Sequence, residues 1–107
     1  MELLKNKMKN KTALITGSSR GIGAASALLF AEAGAKVAVH GRDGAAIEGV
    51  KNAIARTGGC AEGFQADVTQ FEAMRHAIEG RLGPIDILVA NAGGKRFSAA
   101  RADRGHR

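Results

Sequence analysis

The sequence contains no tyrosine and no tryptophan. Proton transfer by a phenol is therefore outside what this polypeptide can do unaided. A single cysteine, Cys60, excludes an intrachain disulfide and fits a reducing compartment. It falls in a strand-like stretch, where a small buried apolar residue is the expected role. The three histidines, His40, His76 and His106, show no metal-ligand spacing with one another or with Cys60, so no metal site is expected. No apolar run is long enough for a signal peptide or a membrane span, and a cytoplasmic location is the expectation.

What the chain has in excess is positive charge, +6 overall, and its location matters more than its size. Residues 1–11 carry four lysines against Glu2, and residues 95–107 carry five basic residues against Asp103. The body between them is close to neutral. Solvated basic ends are the expected meaning, and specific nucleic-acid recognition is not expected.

Read in order, residues 1–11 form a basic lead-in. Thr12–Thr16 reads as an apolar strand with both faces covered. Gly21–Ala33 reads as a helix with Ile22, Ala25 and Leu29 on its apolar face, stopped at Gly34. Lys36–His40 is a second strand, and after Gly41-Arg42-Asp43-Gly44 a second helix running to about Arg56 carries the stripe Ile47, Val50 and Ile54. Cys60–Ala66 is a third strand. Thr69 with Glu72 reads as the capping box of a third helix, whose core stripe is Phe71, Met74, Ile78 and Leu82. Gly83-Pro84 turns into a fourth strand, Ile85–Ala90. This alternation predicts an α/β fold: a partial doubly wound (Rossmann) domain over 12–94, with four parallel strands in order 3-2-1-4 and flanking helices. Residues 95–107 read as a disordered basic tail.

The informative motif is Thr16-Gly17-Ser18-Ser19-Arg20-Gly21-Ile22-Gly23, between the first strand and the first helix. A helix N-terminus presents unpaired N–H groups and partial positive charge, so a glycine-rich turn leading into one is an anion site. In a βαβ setting the usual anion is a dinucleotide pyrophosphate.

With Asp67-Val68 after the third strand and Ala90-Asn91-Ala92-Gly93 after the fourth, the sequence resembles the short-chain dehydrogenase/reductase family. Within it, the sequence resembles the 3-oxoacyl-carrier-protein reductase type. Thr16-Gly17-x-x-x-Gly21-x-Gly23 matches the family's loop, and Ala90 stands where the family has a first Asn. The resemblance implies that Thr16 to Gly23 bind the cofactor's pyrophosphate and that Asp67 and Val68 contact adenine. It also implies that Asn91, Ala92 and Gly93 line the crevice near the cofactor. Arg42 at the end of the second strand, with Arg20 in the loop, favours NADP(H) over NAD(H), because a 2′-phosphate calls for arginine. Asp43 would favour a 2′-OH if turned inward.

The family's catalytic Ser, Tyr, Lys and Asn lie beyond the Asn-Ala-Gly motif. With no Tyr-x-x-x-Lys present, no catalytic residue is assigned. The expectation is a truncated, NADP(H)-binding half-domain of oxidoreductase descent, inactive alone. Its fourth strand would be exposed as an edge able to self-associate. The alternatives are an incomplete record of an active NADP-dependent 3-oxoacyl reductase and a small basic binding module. Turnover of a 3-oxoacyl thioester separates the first of these, and salt-dependent DNA binding the second.

Overall fold

The computed structural model describes residues 6–91, with the Val68 side chain left aside. The elements are β1 (Thr12–Ile15), α1 (Gly21–Glu32), β2 (Lys36–Gly41), α2 (Gly44–Arg56), β3 (Cys60–Gln65), a 3₁₀ turn (Val68–Gln70), α3 (Phe71–Leu82) and β4 (Ile87–Val89). All pairings are parallel and the sheet order is β3-β2-β1-β4, as the alternation predicts. The central strands β1 and β2 carry Ala13, Leu14, Ile15, Val37, Ala38 and Val39, all without exposed surface. That is the composition expected of strands covered on both faces.

Alternate residues feed two cores. Ala13, Ile15, Val37 and Val39 pack with α1 and α2, chiefly Ala27, Ala31, Ile47, Val50 and Ile54. Leu14 and Ala38 pack with Phe64 and with Met74, Ile78 and Leu82 of α3. The stripes expected on α2 and α3 thus face the sheet, with Phe71 half-buried at the start of its stripe.

Four expectations are corrected. The buried face of α1 is Gly23, Ala27 and Ala31, while Ile22, Ala25 and Leu29 point outward. The segment is apolar nearly all round, so its small residues rather than its large ones decide how closely it approaches the sheet. Cys60 is exposed, because it opens β3, an edge strand. The box after β3 is built by Asp67 and Gln70, not Thr69 and Glu72. Glu72 instead pairs with Arg75 at 2.8 Å. Finally, β4 is shorter than the apolar run that predicts it. Asp86 lies before it and ties its start to β1, with Oδ2 accepting from Thr12 N and its own N–H donating to Thr12 O, each at 2.9 Å. Met8, within the lead-in, also packs against the α1/α2 core, and its N–H donates to Ala33 O at 2.8 Å.

Candidate functional site

Strand order reverses between β1 and β4, and the crevice opens at their C-terminal ends. Thr16 spans it. Its Oγ1 accepts from Asn91 N at 2.9 Å, while its own N–H donates to Val89 O at 3.0 Å. The Asn91 side chain completes the junction, with Nδ2 donating to Gly17 O at 3.2 Å. Gly17 adopts φ +67° and Gly21 φ +62°, the left-handed region in which a side chain is strained. Together they let the chain leave β1, reverse, and enter α1.

α1 starts at an extended Arg20 that makes no side-chain cap, whereas α2 is closed by Asp43, whose Oδ1 accepts from Ala45 N and Ala46 N. The α1 terminus therefore keeps its first donors for something outside the helix. Gly23 sits in its first turn against the turn's own backbone. A Cβ there would collide with Gly17 O and come within 2.8 Å of Asn91 Nδ2.

Beneath the turn lies a contact that spacing rules pass over. His40, fully buried at the end of β2, accepts from Gly17 N at its Nδ1 (2.9 Å) and engages Ala66 O through Nε2 (2.8 Å). Its backbone pairs with Ser18. Ser18 N donates to His40 O at 2.8 Å, and His40 N donates to Ser18 Oγ at 2.9 Å. Ser18, wholly buried, is thus a structural rivet beneath the loop. Gly41 follows, and a Cβ there would strike the Ser19 side chain. The sequence signals available for His40 and Gly41 were their place at the strand end and the β1/β2 register.

The mouth of the crevice holds four charges in two pairs. Arg20 meets Asp43 Oδ2 at 3.1 Å, and Arg42 meets Asp67 Oδ2 at 3.6 Å. All four side chains are at least 44% exposed, so the pairs hold weakly and a stronger anion can displace them. Asp43 is turned toward the α2 cap and Arg20 rather than inward. Asp67 Oδ1 accepts from Thr69 N at 2.9 Å, and that bond, with Arg42 adding to it, holds its carboxyl below the usual carboxylate range. Burial lowers the pKa of His40, with the bond to Ala66 and the nearby Asp67 opposing.

Thr16 to Gly23 and Asn91 are thus brought together at one crevice, with Arg42 and Asp67 at its rim. The expectations for the Val68 side chain, for Ala92 and Gly93 and for the basic tail lie outside the described residues. Among the described residues no group of His, Cys, Asp and Glu is placed to hold a metal ion, and no helix is long and apolar enough to cross a membrane.

A family model described as short chain dehydrogenase matches residues 11–104. An uncharacterized oxidoreductase of Bacillus subtilis is 41% identical over 90 residues, covering 81% of this chain and 33% of that protein. Among solved structures, a hydroxysteroid dehydrogenase from Escherichia coli superposes with a TM-score of 0.78 at 37% identity, over 85% of this chain and 39% of that one. A metagenomic short-chain oxidoreductase in complex with NADP superposes with a TM-score of 0.71 at 32% identity, over 76% of this chain and 38% of that one. The chain spans about a third of the length of the curated relatives it matches.

Proposed function

This chain belongs to the short-chain dehydrogenase family of oxidoreductases, and we propose that it binds the phosphate and adenine portion of NADP(H) without transferring hydride by itself. The observation that carries this reading is the uncapped N-terminus of α1, aimed into the β1/β4 crevice over Gly17, Gly21 and Gly23. Such a terminus offers N–H donors and a partial positive charge where a pyrophosphate would sit. The turn formed by Thr16, Gly17, Ser18, Ser19, Arg20, Gly21, Ile22 and Gly23 holds that group. Asp67 and Val68 serve the adenine, and Asn91, Ala92 and Gly93 the side toward the nicotinamide.

Two features support NADP(H) over NAD(H). Arg20 and Arg42 stand at the rim, and the carboxylate that could have served a 2′-OH, Asp43, is committed to capping α2. The NADP complex of one structural relative points the same way. A bound 2′-phosphate would exchange the loose Arg42–Asp67 and Arg20–Asp43 pairs for charge-assisted hydrogen bonds, each contributing roughly 1.5–3 kcal/mol.

The lack of hydride transfer rests on the tyrosine-free sequence, which leaves no phenol to donate a proton to a carbonyl oxygen. Association of copies along β4 is part of the same reading.

The test is calorimetric titration with NADPH and NADH, beside an assay of NADPH oxidation with a 3-oxoacyl thioester. NADPH is expected to bind more tightly, and Arg42→Ala to weaken NADPH by about tenfold or more while leaving NADH unchanged. Equal affinities for the two nucleotides, or an Arg42→Ala protein whose affinity for NADPH is unchanged, would remove the cofactor assignment. Turnover by the chain alone would remove the claim about hydride transfer.

A further inference from the structure

The buried polar side chains among the described residues are Thr12, Thr16, Ser18 and His40, and of these only His40 titrates near neutrality. Both of its ring nitrogens are engaged by backbone. A carbonyl can only accept, so Nε2, facing Ala66 O, carries the hydrogen. An amide can only donate, so Nδ1, facing Gly17 N–H, carries the lone pair. One neutral tautomer satisfies both contacts. The imidazolium would set a second N–H against the amide of Gly17 and leave that amide without its acceptor.

The ring therefore links two parts of the candidate site that are far apart in sequence. One is the first glycine of the phosphate turn. The other is the residue before Asp67, and Ala66 N in turn donates to Gly41 O at 3.1 Å. We propose that neutral His40 is the positioning residue that holds the glycine-rich turn in its anion-binding form, and that protonation of the ring releases Gly17 and weakens dinucleotide binding. This rests on the reading that the turn binds a dinucleotide.

The groups facing the ring set where the change falls. From the β1 turn comes the uncharged Gly17 amide, and the buried Ser18 hydroxyl is taken up by the His40 backbone N–H. From the end of β3 comes Asp67, which favours the charged ring but is itself paired with Arg42. Arg20 and Asp43, above the turn, hold one another. On the α3 side, the positions of the same parity beside it are Ala38 and Phe64, both apolar. Burial outweighs Asp67 and moves the ring's pKa down from its ordinary 6.5, so the release lies on the acid side of neutrality.

The test compares the full chain with His40→Asn, whose Oδ1 can accept from Gly17 N–H but does not titrate. The dissociation constant for NADPH is measured by calorimetry between about pH 5 and pH 8. The nucleotide's own 2′-phosphate titrates near pH ~6, so the readout is the difference between the two proteins. Below the ring's pKa, the wild-type constant is expected to rise by up to about tenfold per pH unit more than that of His40→Asn. In the nucleotide-free wild type, nitrogen NMR is expected to find the lone pair on Nδ1 and Gly17 N–H protected from exchange. Binding with parallel profiles in the two proteins, or a proton found on Nδ1 at neutral pH, overturns this inference alone. No binding of NADPH at any pH overturns the dinucleotide reading and this one with it.

Discussion

Gly23 shows how little freedom single residues have at this site. The methyl group of an alanine would meet the Gly17 carbonyl and the Asn91 side-chain amide, which are bonded to each other, while Asn91 N is held by Thr16 Oγ1. Backbone cannot rotate away as a flexible side chain does, so the turn must open. Gly23→Ala is expected to destabilise the fold by roughly 1–3 kcal/mol, read by urea denaturation, and to abolish measurable NADPH binding. A variant of wild-type stability that binds normally would show that the turn is not closed against α1. The glycines were legible because their spacing encodes backbone demands directly. His40 was not, because its burial depends on β2 ending under a turn that belongs to β1. Asp67 was legible only in part. The same carboxylate suits an adenine contact and a helix cap, and in this structure one oxygen serves the cap while the other faces Arg42.

At the scale of elements, α1 is where sequence reading misjudged the packing. Spacing of i, i+3 and i+7 selects Ile22, Ala25 and Leu29, yet 79% of Ile22 and 44% of Leu29 is exposed. A helix apolar on every side carries little directional signal. Close approach to the sheet selects Gly23, Ala27 and Ala31, which are small, over neighbours that are merely greasy. On α2 and α3 charged residues mark the outer face, so periodicity was sufficient there. The difference is measurable. Ala27→Leu is expected to cost roughly 1–3 kcal/mol by overpacking the interface with β1 and β2. Leu29→Gln should leave stability within about 0.5 kcal/mol. Denaturant midpoints for the two variants check this directly, and a reversed ranking would place the other face of α1 against the sheet.

For the molecule as a whole, topology was the most legible feature, since regular alternation of strand and helix patterns admits few parallel, right-handed arrangements. The extent of the last strand was less so, because an apolar run marks burial and not pairing. Among the described residues β4 pairs with β1 alone, over Ala13, Leu14 and Ile15. Leu88 on that strand is 40% exposed, and Ile22, Leu28 and Leu29 add apolar surface on α1. A strand with an unpaired side and apolar side chains is a template for another copy. Self-association is therefore expected to rise with concentration, read by sedimentation velocity. Leu88→Lys should reduce it, since a charge on an edge strand opposes pairing. Because Leu88 is already partly in solvent, the substitution should leave the denaturation midpoint of the monomer close to wild type. An association constant unchanged by Leu88→Lys would move the contact away from β4, to the outer face of α1 or to another surface.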